Sequence, residues 1–272
     1  MKELDRVAAE IRGGGAVAFT GAGMSAEAGI PTFRDPGGLW DRFDPETFGT
    51  WQGLMREAME RPDGLAAFLA ELRRVFAAAH PTPGHMALSR LESAGLLDGV
   101  VTQNVDGLHQ DAGSSRVLEI HGSFLRLAGT MCEHRSTITR AELVENLDRA
   151  IIGLRSSFVA SLASVLPPCP SCGRPARPDY VAFGESPQGF DEALRLVRSA
   201  RVLLVVGTSG EVFPAASLPD AAKAAGGLVV DVGPAGTGVP SDLVVRGEAG
   251  KVLPSLVDLV LQGYAGADHG GA

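Results

Sequence analysis

Cysteine is scarce in this chain: its 272 residues include three. Two of them stand in Cys169-Pro170-Ser171-Cys172, so a disulfide framework is excluded and a reducing, cytoplasmic setting is expected. Long apolar runs are missing as well. The longest, such as Val202–Val206, fall far short of the ~20 residues that span a bilayer. The opening MKELDRVAAEIRGGG has charges at helical spacing where a signal peptide needs an apolar stretch. It reads as an amphipathic helix stopped by glycines. Basic residues are in deficit, giving a formal net charge of −8. That argues against nucleic-acid partners held by their phosphates, and it is compatible with a lysine-bearing partner.

What is present is an alternation. Strand-like runs at Ala16–Thr20, 99–102, 117–120, 202–207 and 228–232 are separated by helical patterns, which predicts an α/β fold with a doubly wound, Rossmann-like parallel sheet. Apolar content of 45% is enough to bury such a sheet on both faces. Two stretches break the repeat. Residues 40–82 are mostly helical (40–43 and 65–79) and end at His80-Pro81-Thr82-Pro83. Residues 124–178 hold the cysteines, a helical piece at 140–165 and a proline-rich closure. Both are read as insertions forming a smaller, largely helical module beside a domain built from 1–39, 83–123 and 179–263. Residues 264–272 read as a flexible tail.

The richest segment is AFTGAGMSAEAGIPTFRD. A short apolar run opens into Gly21-Ala22-Gly23-Met24-Ser25-Ala26, the G-x-G-x-x-A form of a dinucleotide-binding turn, after which Ser25 or Ala26 is expected to open a helix facing a pyrophosphate. The acidic residue expected ~20 positions later in a hydride-transferring enzyme is replaced by a polar, breaker-rich loop. Dinucleotide chemistry of another kind follows. After the strand LDGVVT come Gln103, Asn104 and Asp106, placed at a strand end where a ribose or carboxamide is read. His121 likewise follows a strand; taken alone, a histidine there is more readily a core residue.

GAGMSAEAGIPTFRD, TQNVDGLHQDAG, EIHG, CPSC followed by RPDYVAFGES, and GTSGEVFPAASLP occur in the order and spacing of the sirtuin family, over residues 4–261. The resemblance implies an NAD-dependent protein-lysine deacylase. In that chemistry the acyl-lysine carbonyl oxygen attacks the ribose carbon bearing nicotinamide, nicotinamide leaves, and a histidine helps a ribose hydroxyl to take the acyl group onto ADP-ribose. His121 matches the histidine, with Asn104 and Asp106 as its catalytic companions. The cofactor positions implied are Gly21, Ala22, Gly23, Ala26, Ile30, Phe33, Arg34, Gln103, Asn104, Asp106, Gly207, Thr208, Ser209, Asp231 and Ala249. Arg34 is a cation suited to closing over bound dinucleotide, and Asp35 beside it is equally a turn-capping residue. Asp231 stands where the family usually has asparagine; an acid there accepts ribose hydroxyls and disfavours a phosphate, hence NAD over NADP. Val181, Phe183 and Glu185 match the acyl-lysine channel and peptide groove.

The resemblance also implies that the small module is zinc-ribbon-like and holds structural zinc, and here the chain departs from it. Two C-x-x-C pairs are needed. Cys169 and Cys172 form one; the other falls on Gly129 and Cys132. His134 is the candidate replacement, with Glu133 or water as poorer ones. Members preferring succinyl or malonyl lysine carry a tyrosine and an arginine three residues apart on a helix. The best match, at 68–74, has Ala70 and Arg73, so the acyl group stays open, and Arg73 with Arg74 equally forms a solvated face. Two other functions remain: an NAD glycohydrolase or ADP-ribosyltransferase on the same fold, and an NAD-sensing protein whose catalysis has lapsed. Protein substrate and oligomeric state are not readable.

Overall fold

The runs AVAFT, LDGVVT and VLLVV form strands β1 (Ala16–Thr20), β2 (Leu97–Thr102) and β7 (Val202–Val206), and all but Asp98 of β2 are buried. Burial on both faces is what a parallel sheet covered by helices requires. The computed structural model describes residues 2–32, 37–156, 166–234 and 238–265. Six parallel strands lie in the order β3-β2-β1-β7-β8-β9, where β3 is Val117–Glu119, β8 Leu228–Gly233 and β9 Leu243–Arg246. The chain winds outward from β1 to β3, then returns to the other side of β1 at β7. That reversal opens a crevice beyond the carboxyl ends of β1 and β7. Register aligns the rim: Thr20 pairs with Thr102 and with Val206, and Thr102 with Glu119.

Alternation along the strands sorts side chains to two cores. Ala16 and Ala18 face the helices Lys2–Ile11, Pro83–Ser93 and Ala249–Ala265, packing with Leu88, Leu91, Leu253 and Leu256. Val17 and Phe19 face the helices Phe190–Ser199 and Leu218–Ala224. A third core lies apart from these. Helices Trp51–Glu60, Pro62–Ala78 and Arg140–Ser156 bury Leu54, Phe68, Leu69, Phe76, Leu143 and Leu147 against Phe124, Leu125 and Ile138. Phe124 and Leu125 belong to β4 (Gly122–Gly129), the middle of a small antiparallel sheet with β5 (Arg135–Thr137) and β6 (Ala176–Tyr180).

Several elements differ from the sequence expectations. β9 is a four-residue edge strand behind a Gly/Pro-rich stretch, too short to show a period. The β4–β5 pair was read only as a cysteine-bearing insertion. The final helix continues through Tyr264 and Ala265, into the stretch read as tail, because its apolar face at Leu256, Val257 and Val260 anchors it. Among the described residues no helix is long and apolar enough to cross a membrane.

Candidate functional site

β1 ends at Thr20 and the chain turns at once through Gly21, Ala22 and Gly23. The helix expected here is absent. Two 3-10 turns, Ala22–Met24 and Ala26–Ala28, stand in its place, closed by Met24 N–H to Gly21 O and Ala28 N–H to Ser25 O, both 3.0 Å. Gly29, with φ 78°, ends the second turn before it can lengthen. The glycines serve a close approach of two backbones. Gly23 N–H donates to Gly207 O at 2.8 Å, and a Cβ on Gly23 would stand 2.8 Å from Gly207 Cα. Gly207 itself has φ 61°, and a Cβ there would meet Met24 N at 2.5 Å.

This tight turn delivers Ser25 to the strand-end residues of β2. Asn104 Nδ2 donates to Gly21 O and to Ser25 Oγ, both at 3.0 Å, and Ser25 Oγ donates to Asp106 Oδ2 at 2.7 Å. Asp106 Oδ1 accepts Leu108 N–H at 2.9 Å. Burial pushes the Asp106 carboxyl above the usual carboxylate range, while Leu108 N–H and the Ser25 hydroxyl pull it back. Gln103 Nε2 donates to Thr208 Oγ1 at 2.8 Å, tying the β2 end to the β7 end. His121 joins the two sheets, following β3 and preceding β4. Its Nδ1 lies 3.2 Å from Gln103 O; a carbonyl only accepts, so Nδ1 carries the proton and Nε2 keeps a free lone pair. Burial lowers its pKa, the Gln103 bond opposing. The imidazole is therefore a neutral base at pH 7.

A buried relay that the sequence did not reveal stands behind Asn104. Thr102 Oγ1 accepts Asn104 N–H at 3.0 Å and the Thr20 hydroxyl at 2.8 Å. With that proton committed, Thr20 Oγ1 accepts from His109 Nε2 at 3.0 Å. Hydroxyls at two adjacent strand ends were the available signal. Arg140, on the small module, donates to Asp106 O at 2.8 Å and to Asp111 at 2.6 Å.

A cavity of about 510 Å3 runs from this rim into the space beside the third core. Of the positions expected to hold the dinucleotide, Gly21, Ala22, Gly23, Ile30, Gln103, Asn104, Asp106, Gly207, Thr208 and Ser209 line it, together with His121. Its other end is apolar: Leu39, Trp40, Phe48, Phe68, Leu72, Val75, Phe76, Phe124, Val181 and Phe183. Glu71 also lines it, and no lysine or arginine does among the described residues. Arg74 and Arg42 bond the Glu71 carboxylate at 2.8 Å and hold its pKa below the usual range, Arg74 contributing most.

Five expected positions lie elsewhere. Ala26 starts the second 3-10 turn and is exposed, facing away from the cavity wall. Asp231 lies two residues short of the end of β8, 2% exposed inside the sheet, and Gly233 and Pro234 reach the cavity instead. Ala249 is in the first core, at the start of the last helix. Glu185 turns back on its own loop, accepting Ala182 N–H at 2.9 Å and pairing with Arg177 at 3.0 Å. Arg73 pairs with Asp148 at 2.8 Å on the outside of the module, both half-exposed. Phe33 and Arg34, with Asp35, lie outside the described residues.

Cys132, Cys169 and Cys172 come together with their Sγ atoms within 4.8 Å of one another. Three free thiols at that separation fit a thiophilic metal of the zinc class. His134 is not in the group. Its carbonyl takes Gly129 N–H at 2.9 Å where the β4–β5 turn closes, and its Nε2 is buried with no hydrogen-bond partner.

Comparison with known proteins agrees with this arrangement. The sequence model of the Sir2 family matches residues 21–214. The chain is 42% identical over 247 residues to an NAD-dependent protein deacylase of Desulfosudis oleivorans, covering 90% of each. It is 43% identical over 248 residues to NAD-dependent protein deacylase 2 of Pyrobaculum aerophilum, again 90% of each. Among solved structures, the crystal structure of a Sir2 homolog–NAD complex superposes with a TM-score of 0.76 at 35% identity, covering 96% of this chain and 94% of that one.

Proposed function

Because the chain belongs to the Sir2 family, we propose that its cleft performs NAD-dependent deacylation of protein lysines, releasing nicotinamide and moving the acyl group to ADP-ribose. The carrying observation is His121. Its Nδ1 proton is engaged by Gln103 O, which leaves Nε2 as base, and it lines a cavity with the glycine turns at one end and apolar walls at the other. NAD is the co-substrate. In this reading the turns at Gly21–Gly23 and Gly207–Ser209 cradle its phosphates and ribose, with Phe33 and Arg34 closing the loop beyond. Asn104 and Asp106, locked to Ser25, orient the nicotinamide ribose and carboxamide beside Ile30 and Gln103. The lysine stem enters between Val181 and Phe183, and its carbonyl oxygen displaces nicotinamide. His121 Nε2 then takes a proton from the ribose hydroxyl that attacks the acyl carbon.

The walls set the acyl class. A charged acyl group would face the ionised Glu71, and the arginine expected for it, Arg73, is paired with Asp148 outside the cleft. The enzyme therefore takes uncharged acyl groups. We place the NAD site in residues 1–39, 83–123 and 179–263, and the lysine-facing module in 40–82 and 124–178. Zinc, when bound to Cys132, Cys169 and Cys172, supplies folding energy to that module and no chemistry. A cluster of free thiols suits a reducing compartment, which supports a cytoplasmic location.

The test mixes protein, NAD and an acetyl-lysine or succinyl-lysine peptide and follows nicotinamide. Release that requires the acetyl peptide, with little from the succinyl one, is expected. Release without peptide would make the chain a glycohydrolase, and no release would leave it an NAD sensor.

A further inference from the structure

Three cysteine sulfurs and one glycine meet at a point in the small module. Cys132 lies in the turn after β4; Cys169 and Cys172 lie in a tight turn before β6, closed by Gly173 N–H to Cys169 O at 2.8 Å. Cys132 Sγ and Cys169 Sγ are 3.6 Å apart. A Cβ on Gly129 would stand 2.5 Å from Cys132 Sγ and 3.4 Å from Cys169 Sγ. Gly129 therefore occupies the fourth corner of the cluster and brings no donor to it. The neighbouring side chains do not replace it. His134 and Glu133 are not in the group, and Met131 is 75% exposed. Residues 157–165, which lie outside the described set, contain no cysteine, histidine, aspartate or glutamate.

Zinc in a structural site is four-coordinate, and a site with three protein ligands keeps a position for a ligand from solution. We propose that this chain holds its metal by Cys132, Cys169 and Cys172 alone, and that the corner at Gly129 is an exchangeable coordination position that accepts a small monodentate thiol. The donor that the resemblance implies at this corner is a sulfur, and Gly129, whose added Cβ would press on Cys132 Sγ at 2.5 Å, supplies none. A soft ligand from solution matches the metal's preference. The consequence is reversibility. The metal leaves and returns more easily than from a closed site, and the order of the Cys132 and Cys169–Cys172 turns follows its occupancy. This proposal does not depend on the reaction assigned to the cleft.

The test uses the full chain loaded with cobalt(II), whose absorption distinguishes three sulfur donors from four. Titration with 2-mercaptoethanol is expected to intensify and red-shift the bands saturably in the wild type. His134→Ala is expected to start from the same spectrum and respond in the same way. Gly129→Cys, which restores a fourth thiolate, is expected to show the four-sulfur spectrum at once and to ignore added thiol. Zinc release to a chromophoric chelator should be about tenfold slower from Gly129→Cys than from the wild type. A wild-type spectrum that does not respond to thiol overturns the proposal, as does a spectrum altered by His134→Ala or a chain that binds no metal. Should Gly129→Cys not fold, the wild-type titration and His134→Ala decide the matter without it.

Discussion

His121 combines two features in one side chain: a proton pinned on Nδ1 and a pKa lowered by burial. Its neutral form is the base. Activity should fall as pH drops through the lowered value, so the acid limb of kcat should have its midpoint below the ordinary 6.5. His121→Ala should cut kcat by ~10²–10⁴-fold while NAD still binds, because an acid–base group adds little ground-state affinity. A midpoint at or above 6.5, or a variant within a few-fold of wild type, would remove His121 from this role. The place of His121, Asn104 and Asp106 in the cavity was legible because each comes within a few residues of a strand whose end is marked by a change of residue type. Asp231 was misplaced for the converse reason. Apolar content continues to Val232 and the strand to Gly233, so the position that reaches the cavity is a glycine, with no side chain to draw notice. Ser25 was read as the start of a helix, and its link between Asn104 and Asp106 depends on a 3-10 turn that glycine spacing does not specify.

At the scale of elements, the site depends on two glycine turns touching. The strands beneath them were readable from apolar runs, and the G-x-G spacing announced the first turn. That Gly23 packs on Gly207, about 180 residues later, could only follow from knowing that β1 and β7 are neighbours. An added methyl at Gly23 has backbone on its far side, at 2.8 Å, and neither turn can yield without shifting its strand. Gly23→Ala should therefore destabilise the protein by ~1–3 kcal/mol and raise the KM for NAD. Gly233→Ala is the control, since a Cβ there meets nothing within 4 Å. Urea midpoints measure both. Equal midpoints for the two variants would mean that the turns do not need their close approach.

At the scale of the whole molecule, stability against acid rests on buried polar groups between its elements. His85 and His109, 0% and 1% exposed with rings 4.7 Å apart, lie between the helix Pro83–Ser93 and the strand ends. Burial lowers the His85 pKa from 6.5 to about 4 and takes His109 well below its usual value, the neighbouring His85 adding to the effect on His109. Both are neutral in the folded protein, while in the unfolded chain each titrates near 6.5. The unfolded state thus binds more protons below that pH. The stabilisation is complete above about pH 6.5 and is lost as pH falls from there towards about 4. Each histidine contributes a slope of ~1.4 kcal/mol per pH unit in that window, a large share of the roughly 5–15 kcal/mol that holds a domain folded. Carboxylates such as Asp179, whose pKa is lowered by Arg126 and Gln188 against its burial, begin to matter only as pH nears 3.8. His109→Gln isolates the effect, because an amide nitrogen can still reach Thr20 Oγ1 but does not titrate. The variant should lose less stability than the wild type between pH 7.5 and 5, whatever its stability at pH 7.5. Equal losses would show that His109 titrates alike in both states.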